Sequence, residues 1–211
     1  MNTQSNDFGS LRRHKWALPL TAIMCGGVVG SLLMGNQGHA TIALFLVVAS
    51  AAPLLIERLW RVRLPIFIQV SYVAFLFLSM FCGEVLGMYG RLQPWDDVMH
   101  FLSGILVGLG AVIWLTSVID RAKLRLSAWL HALAVLCIGA TVAVVWEIVE
   151  FSSDRLFGTF TQRNDLFDTM TDLIYGTTSA LLVAILLYLA LRNRPNLGLG
   201  RVIARYRNLN R

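Results

Sequence analysis

Charge is what this chain is short of. Only 14% of its 211 residues are Asp, Glu, Lys or Arg, while 56% are apolar; water-soluble domains usually carry about 25% charged residues. The apolar residues are not confined to the stripes of a helix half-buried on a soluble core, but run on without interruption. There is no soluble domain, no internal repeat and no low-complexity stretch. Cys25, Cys82 and Cys137 lie far apart without C-x-x-C spacing, so inert buried thiols are expected, with one disulfide on the oxidising side as the alternative. The first apolar run is longer than a signal-peptide core of about 7 to 15 residues and lacks a small-residue cleavage pattern, so it is read as a membrane helix.

These absences point to a membrane protein. Six stretches, 17–34, 41–56, 64–81, 98–119, 127–149 and 168–191, approach or reach the roughly 17 to 25 residues that span about 30 Å of hydrocarbon. Lysine and arginine in short loops are retained on the cytoplasmic side. Fifteen of the eighteen cations precede the first stretch or follow the second, fourth and sixth, leaving Arg91, Arg155 and Arg163 for the opposite side. Trp16, Trp60 and Trp129 fall at the inner boundaries and Trp95 and Trp146 near the outer ones, as interfacial indoles do. The expected fold is therefore all-α: a polytopic bundle of six transmembrane helices with both termini cytoplasmic. Residues 1–16 form a cytoplasmic segment, 17–191 the membrane domain with an extracytoplasmic loop at 150–167, and 192–211 a basic cytoplasmic tail. Arginines directly after a span are a topology signal that also touches anionic lipid, so no nucleic-acid partner is inferred. Gly26 with Gly30, and Gly104 with Gly108, are G-x-x-x-G pairs suited to close helix packing in lipid.

The acidic residues that are present do not scatter. Nine of the twelve, Glu84, Asp96, Asp97, Glu147, Glu150, Asp154, Asp165, Asp168 and Asp172, fall where four apolar segments meet the outer boundary, with His100 among them. An Asp at a helix centre costs at least about 2.5 kcal/mol on insertion scales, so such a cluster needs a reason. Asp97 and His100 are three residues apart and share a helix face. Glu147 and Glu150 repeat that spacing about 30 Å of helix beyond Ser127, at the same depth. They lie at a helix C-terminus, where negative charge opposes the dipole. Asp165, Asp168 and Asp172 recur at three and four residues along one face. Asp165 or Asp168 is a candidate N-cap; capping cannot account for Asp172, a turn inside the span and followed by Tyr175, Gly176 and Ser179.

Carboxylates about 4 to 6 Å apart repel one another and retain protons unless a divalent cation compensates. The expected ligands are Asp97, His100, Glu147, Asp168 and Asp172, with Glu84 and Asp165 as further candidates. Oxygen donors with one imidazole suit Mg²⁺, Mn²⁺, Ca²⁺ or Zn²⁺.

Asp97-x-x-His100-Phe101 with Gly104, Trp146-Glu147-x-x-Glu150, and Gln162-x-x-Asp165-x-x-Asp168-Thr169-x-x-Asp172 with Gly176 resemble the bacterial inner-membrane proteins of the YjdF type. A looser likeness extends to VanZ-like membrane proteins. The resemblance covers about residues 84 to 190. It departs at Asn164 and Phe167, where the YjdF-type pattern has a Gly before the first of these aspartates and a Trp soon after it. It implies a helical bundle in a bacterial plasma membrane and no settled activity.

Three functions compete on the site. The first is a metal-dependent membrane hydrolase acting on a lipid headgroup or lipid-linked substrate. Glu150 would be its general base; Gln162, Arg163 and Arg155 would hold an anionic substrate or developing charge. The second is a path for protons or metal ions with Asp172 as its deepest member, although the inner halves of the spans carry almost no ionisable groups. The third is a non-catalytic envelope or assembly factor whose polar cluster fixes helix register. A homo-oligomer, in which a second copy completes the pocket, is compatible with the same spacing.

Overall fold

In the computed structural model, residues 18–35, 37–92, 94–158, 161–162, 165–192 and 198–210 are described. Among them there is no strand. Five helical stretches are long and apolar enough to cross a membrane, Ile42–Trp60, Ile66–Val85, Trp95–Arg121, Ala128–Leu156 and Leu166–Arg192, and Pro19–Leu33 is a shorter apolar helix. The chain divides into two compact units, residues 1–95 and 96–209, with Asn210 grouped with the first and Arg211 with the second.

The first unit contains α1 (Leu18–Leu33), α2 (Gln37–Ala49), α3 (Ala52–Trp60), α4 (Ile66–Leu76) and the one-turn α5 (Met88–Arg91). The stretch expected at 41–56 is not one uninterrupted α-helix. Pro53 sits in the first turn of α3, where its missing N–H is tolerated at a helix start but would break a continuous ladder. Beyond α4 the backbone continues as a π-helix over Phe77–Val85. Met24, Leu46 and Phe81 form the buried core. The glycine that matters here is Gly27, where a Cβ would strike the Phe81 ring; Gly26 and Gly30, expected to pack, have open space beside them. Glu57 joins α3 to α4, its Oε1 accepting from Leu64 N at 2.7 Å and Gln69 Nε2 at 3.0 Å.

The second unit is built from α6 (Trp95–Arg121), α7 (Ala128–Phe157), α8 (Leu166–Arg192) and α9 (Leu199–Leu209). Val112, Val135 and Leu187, all fully buried, centre its core, and Ile203 of α9 joins them. Large side chains such as Ile148 and Ile174 stay 57% exposed, while the inward contacts use small residues. A Cβ on Gly104 of α6 would collide with Ser179 Oγ and the Gly176 carbonyl of α8, and one on Gly108 would sit 3.0 Å from Val183 Cβ. On the other flank Gly139 of α7 fits against Ala180 and Gly176 of α8 against Ala143. Close backbone approach is how helices gain van der Waals contact in lipid, where burial of apolar surface brings no advantage.

The segment expected as a loop from residue 150 begins as helix. α7 runs on through Phe151–Phe157 and stops at Gly158, whose φ of 67° is left-handed, a conformation a Cβ disfavours. The tail likewise contains a helix. α9 buries Gly200, Ile203 and Tyr206, exposes Arg201 and Arg205, and is tied to α6 by Arg207, which donates two 2.8 Å bonds to Asp120.

Candidate metal centre

The ends of α6, α7 and α8 nearest Asp96 bring the polar residues of the second unit together. Asp96 and Asp97 lie in the first turn of α6, where carboxylates complement the helix dipole. One turn on, His100 Nε2 is 3.5 Å from Asp96 Oδ1. From α8, Asp172 Oδ1 approaches the same nitrogen at 3.8 Å. From α7, Glu147 Oε1 approaches the other ring nitrogen, Nδ1, at 3.8 Å. Glu150, one turn further along α7, accepts a 2.9 Å hydrogen bond from Trp146 Nε1 through its Oε1.

Among the described residues two groups of ligand atoms result, Asp96–His100–Asp172 and His100–Glu147–Glu150, each with all its atoms within 4.8 Å of one another. Ligand atoms on one tetrahedral ion with bonds of about 2.1 Å lie about 3.4 Å apart, so closure on an ion draws these side chains closer together. Glu147 and Asp172 are 5% and 3% exposed. Glu147 Oε1 and Asp172 Oδ1, the oxygens that face His100, are buried without a hydrogen-bond partner. A buried charge without a partner costs several kcal/mol even after relaxation, so oxygens placed this way call for a positive or hydrogen-bonding partner.

The turn after α7 supports the site. Asp154 accepts from Thr161 N and Thr161 Oγ1, both at 2.8 Å, and from Gln162 N at 3.0 Å. Gln162 Nε2 then reaches the Glu147 carbonyl at 3.2 Å and its Oε2 at 3.3 Å.

The structure thus gathers His100, Glu147 and Asp172 with Glu150 and Gln162, and adds Asp96. Asp97 is in neither ligand group. At 100° per residue the i,i+4 pair Asp96–His100 is offset by about 40° around the helix and the i,i+3 pair by about 60°, so the fourth residue back is the better partner. Asp168, a turn before Asp172, is half-buried and outside both groups. Asp165 caps α8, its Oδ1 accepting from Phe167 N at 2.9 Å, which satisfies a free N–H of the first turn. Arg155 is exposed with its guanidinium 5.4 Å from the Phe151 ring centroid. Arg163 lies outside the described residues. Glu84 belongs to the first unit, whereas both ligand groups come from the second alone.

The family described as "Predicted membrane protein (DUF2238)" matches residues 17–193. The chain belongs to that family. With its long apolar helices, this DUF2238 chain is a multi-pass helical membrane protein. It is similar to an uncharacterized protein of Thermotoga maritima, 23% identical over 137 residues that cover 65% of this chain and 70% of the relative. No solved structure matches. The likeness to YjdF-type proteins is consistent with DUF2238 membership, and nothing in these matches speaks for the VanZ-like one.

Proposed function

We propose that this DUF2238 chain spans the bacterial inner membrane six times with both termini cytoplasmic, and holds a divalent cation between α6, α7 and α8 on the extracytoplasmic side. There it would hydrolyse or transfer the headgroup of a lipid or lipid-linked substrate. The carrying observation is the pair of buried oxygens, Glu147 Oε1 and Asp172 Oδ1, that face His100 with no hydrogen-bond partner. The bias of fifteen cations against three supports the orientation. α1, with 16 residues, is about 24 Å long at 1.5 Å per residue and serves as the sixth span.

A cation bound here supplies Lewis acidity toward a phosphoryl or carbonyl oxygen. The residues supply the rest. Glu150 takes the proton of an attacking water as the new oxygen–phosphorus or oxygen–carbon bond forms, and the bond to the leaving alcohol breaks as that group takes up a proton. Gln162 uses its amide on Glu147, so holding an anionic headgroup falls to Arg155 and Arg163. Leu166 and Phe167, 76% and 74% exposed beside the start of α8, and Trp146, 46% exposed, offer an apolar rim for acyl chains.

The test is ion content of the full-length protein in detergent, paired with release of headgroups from bacterial lipid extract. We expect one or more equivalents of a divalent ion, lost in Asp172→Asn, and turnover lost in Glu150→Gln with the ion retained. Background ion content in the wild-type protein overturns the site; turnover unchanged in Glu150→Gln overturns the assigned chemistry.

A further inference from the structure

The two nitrogens of His100 do not have equivalent surroundings, and the difference assigns parts within the cation site proposed above, on which this inference rests. Next to Nδ1 stands one carboxylate, Glu147, already held by an N–H donor, and its neighbour Glu150 on α7 is held likewise. Glu147 Oε2 accepts from Gln162 Nε2 at 3.3 Å, leaving Oε1 directed at Nδ1 from 3.8 Å. Glu150 Oε1 accepts from Trp146 Nε1 at 2.9 Å. The hold on Glu147 is built from further away. Asp154, seven residues along α7 from Glu147, uses both its oxygens to bind Thr161 and Gln162 and so holds these two residues against the helix. That clamp sets the Gln162 amide on both the carbonyl and the carboxylate of Glu147.

Next to Nε2 the arrangement is of another kind. Two carboxylates rather than one approach the nitrogen, Asp96 at 3.5 Å and Asp172 at 3.8 Å. They come from different helices, and Asp172 Oδ1, like Glu147 Oε1 at the other nitrogen, is buried without a hydrogen-bond partner. A neutral imidazole has one N–H and one lone pair, and a carboxylate fixed against one nitrogen keeps the proton there and frees the other for a ligand.

We infer that the cation sits on the Nε2 side, between His100, Asp96 and Asp172, and that Glu147 is a positioning residue that accepts the Nδ1–H, its direction set by Gln162 and ultimately by Asp154. A histidine that binds a metal commonly donates its second N–H to a carboxylate in this way, and loss of such a partner costs roughly 10–100-fold in metal affinity. The assignment gives Asp154 and Gln162 a role that ligand spacing alone does not reveal: they are needed for tight binding although neither touches the ion.

The experiment uses the full chain labelled with ¹⁵N-histidine, in detergent, with Zn²⁺ as the probe and the His100 signals identified by their loss in His100→Gln. Zinc is expected to shift the Nε2 resonance while Nδ1 stays protonated; a zinc-induced shift at Nδ1 with a protonated Nε2 overturns the assignment. This reading is taken on the wild-type side chains and does not depend on the folding of a ligand variant. In parallel titrations, Asp96→Asn and Asp172→Asn are expected to weaken Zn²⁺ binding more than 100-fold. Glu147→Gln, Gln162→Ala and Asp154→Asn should retain the wild-type stoichiometry with affinity lowered roughly 10–100-fold. Loss of zinc in a folded Glu147→Gln protein as complete as in Asp172→Asn overturns the positioning role. A wild-type protein that takes up no zinc gives no shift at either nitrogen, and that distinct result overturns the cation site itself.

Discussion

α6 carries an acidic interaction at each end, and the two are opposites. Near its end, Asp120 meets Arg207 through two 2.8 Å bonds, with the side chains 39% and 46% exposed. Near its start, His100 is 11% exposed among carboxylates that stand 3.5–3.8 Å off, two of them presenting oxygens with no hydrogen-bond partner. The first is a complete pair, matched in charge and geometry, in a setting where it contributes little. The second is buried, where imbalance is expensive, and it is left unbalanced. The proposed cation site lies at the open set.

The comparison can be broken at its shared frame. Gly104→Val forces a side chain into Ser179 and the Gly176 backbone, directly below the cluster. Overpacking usually costs about 1–3 kcal/mol, and with backbone as the obstacle we expect the top of that range, read as a large drop in thermal midpoint in detergent together with loss of ion binding. Asp172→Asn sharpens the contrast with an effect of opposite sign. In chelator it removes a buried carboxyl oxygen that has no hydrogen-bond partner and should raise stability by about 1–2 kcal/mol, whereas with saturating ion the wild-type protein should be the more stable. A fall in the midpoint in chelator would mean that Asp172 is matched after all. Asp120→Asn should have the smallest effect, about 0.2–1 kcal/mol, shrinking further in high salt as expected for an exposed pair.

The membrane character was legible because hydrocarbon demands long apolar runs, five of which are helices long enough to cross among the described residues. Their ends were less so. The break before Pro53 follows from a missing N–H, but an apolar stretch on either side of it reads as one span. Residues 151–157, FSSDRLF, are polar enough to pass for a loop, yet they continue α7 until Gly158 supplies a left-handed stop. Within the site, depth along each helix brought His100, Glu147 and Asp172 to a common level. The choice between Asp96 and Asp97 turned on a rotation of one residue, which the 40° offset of i,i+4 against 60° for i,i+3 would have favoured for Asp96. Asp154 was counted with the cluster, but its work is local: the turn it binds, seven and eight residues on, has no periodic signal to announce it.

The close contact of Gly104 with Gly176 and Ser179 has a consequence for which ions the proposed site would accept. It lies one turn below His100 and one turn below Asp172, so the two helix backbones that carry the Nε2-side donors meet with no spare room between them. Asp96 and Asp172 are short side chains on those rigid supports, and they act as fixed jaws of a gauge. At the proposed site a four-coordinate ion with bonds of about 2.0–2.2 Å would suit these donors, whereas Ca²⁺, with six to eight oxygens at about 2.3–2.6 Å, would need more donors than two such jaws and one imidazole provide. Substituting the glycine would therefore alter the size of ion accepted as well as the stability of the bundle.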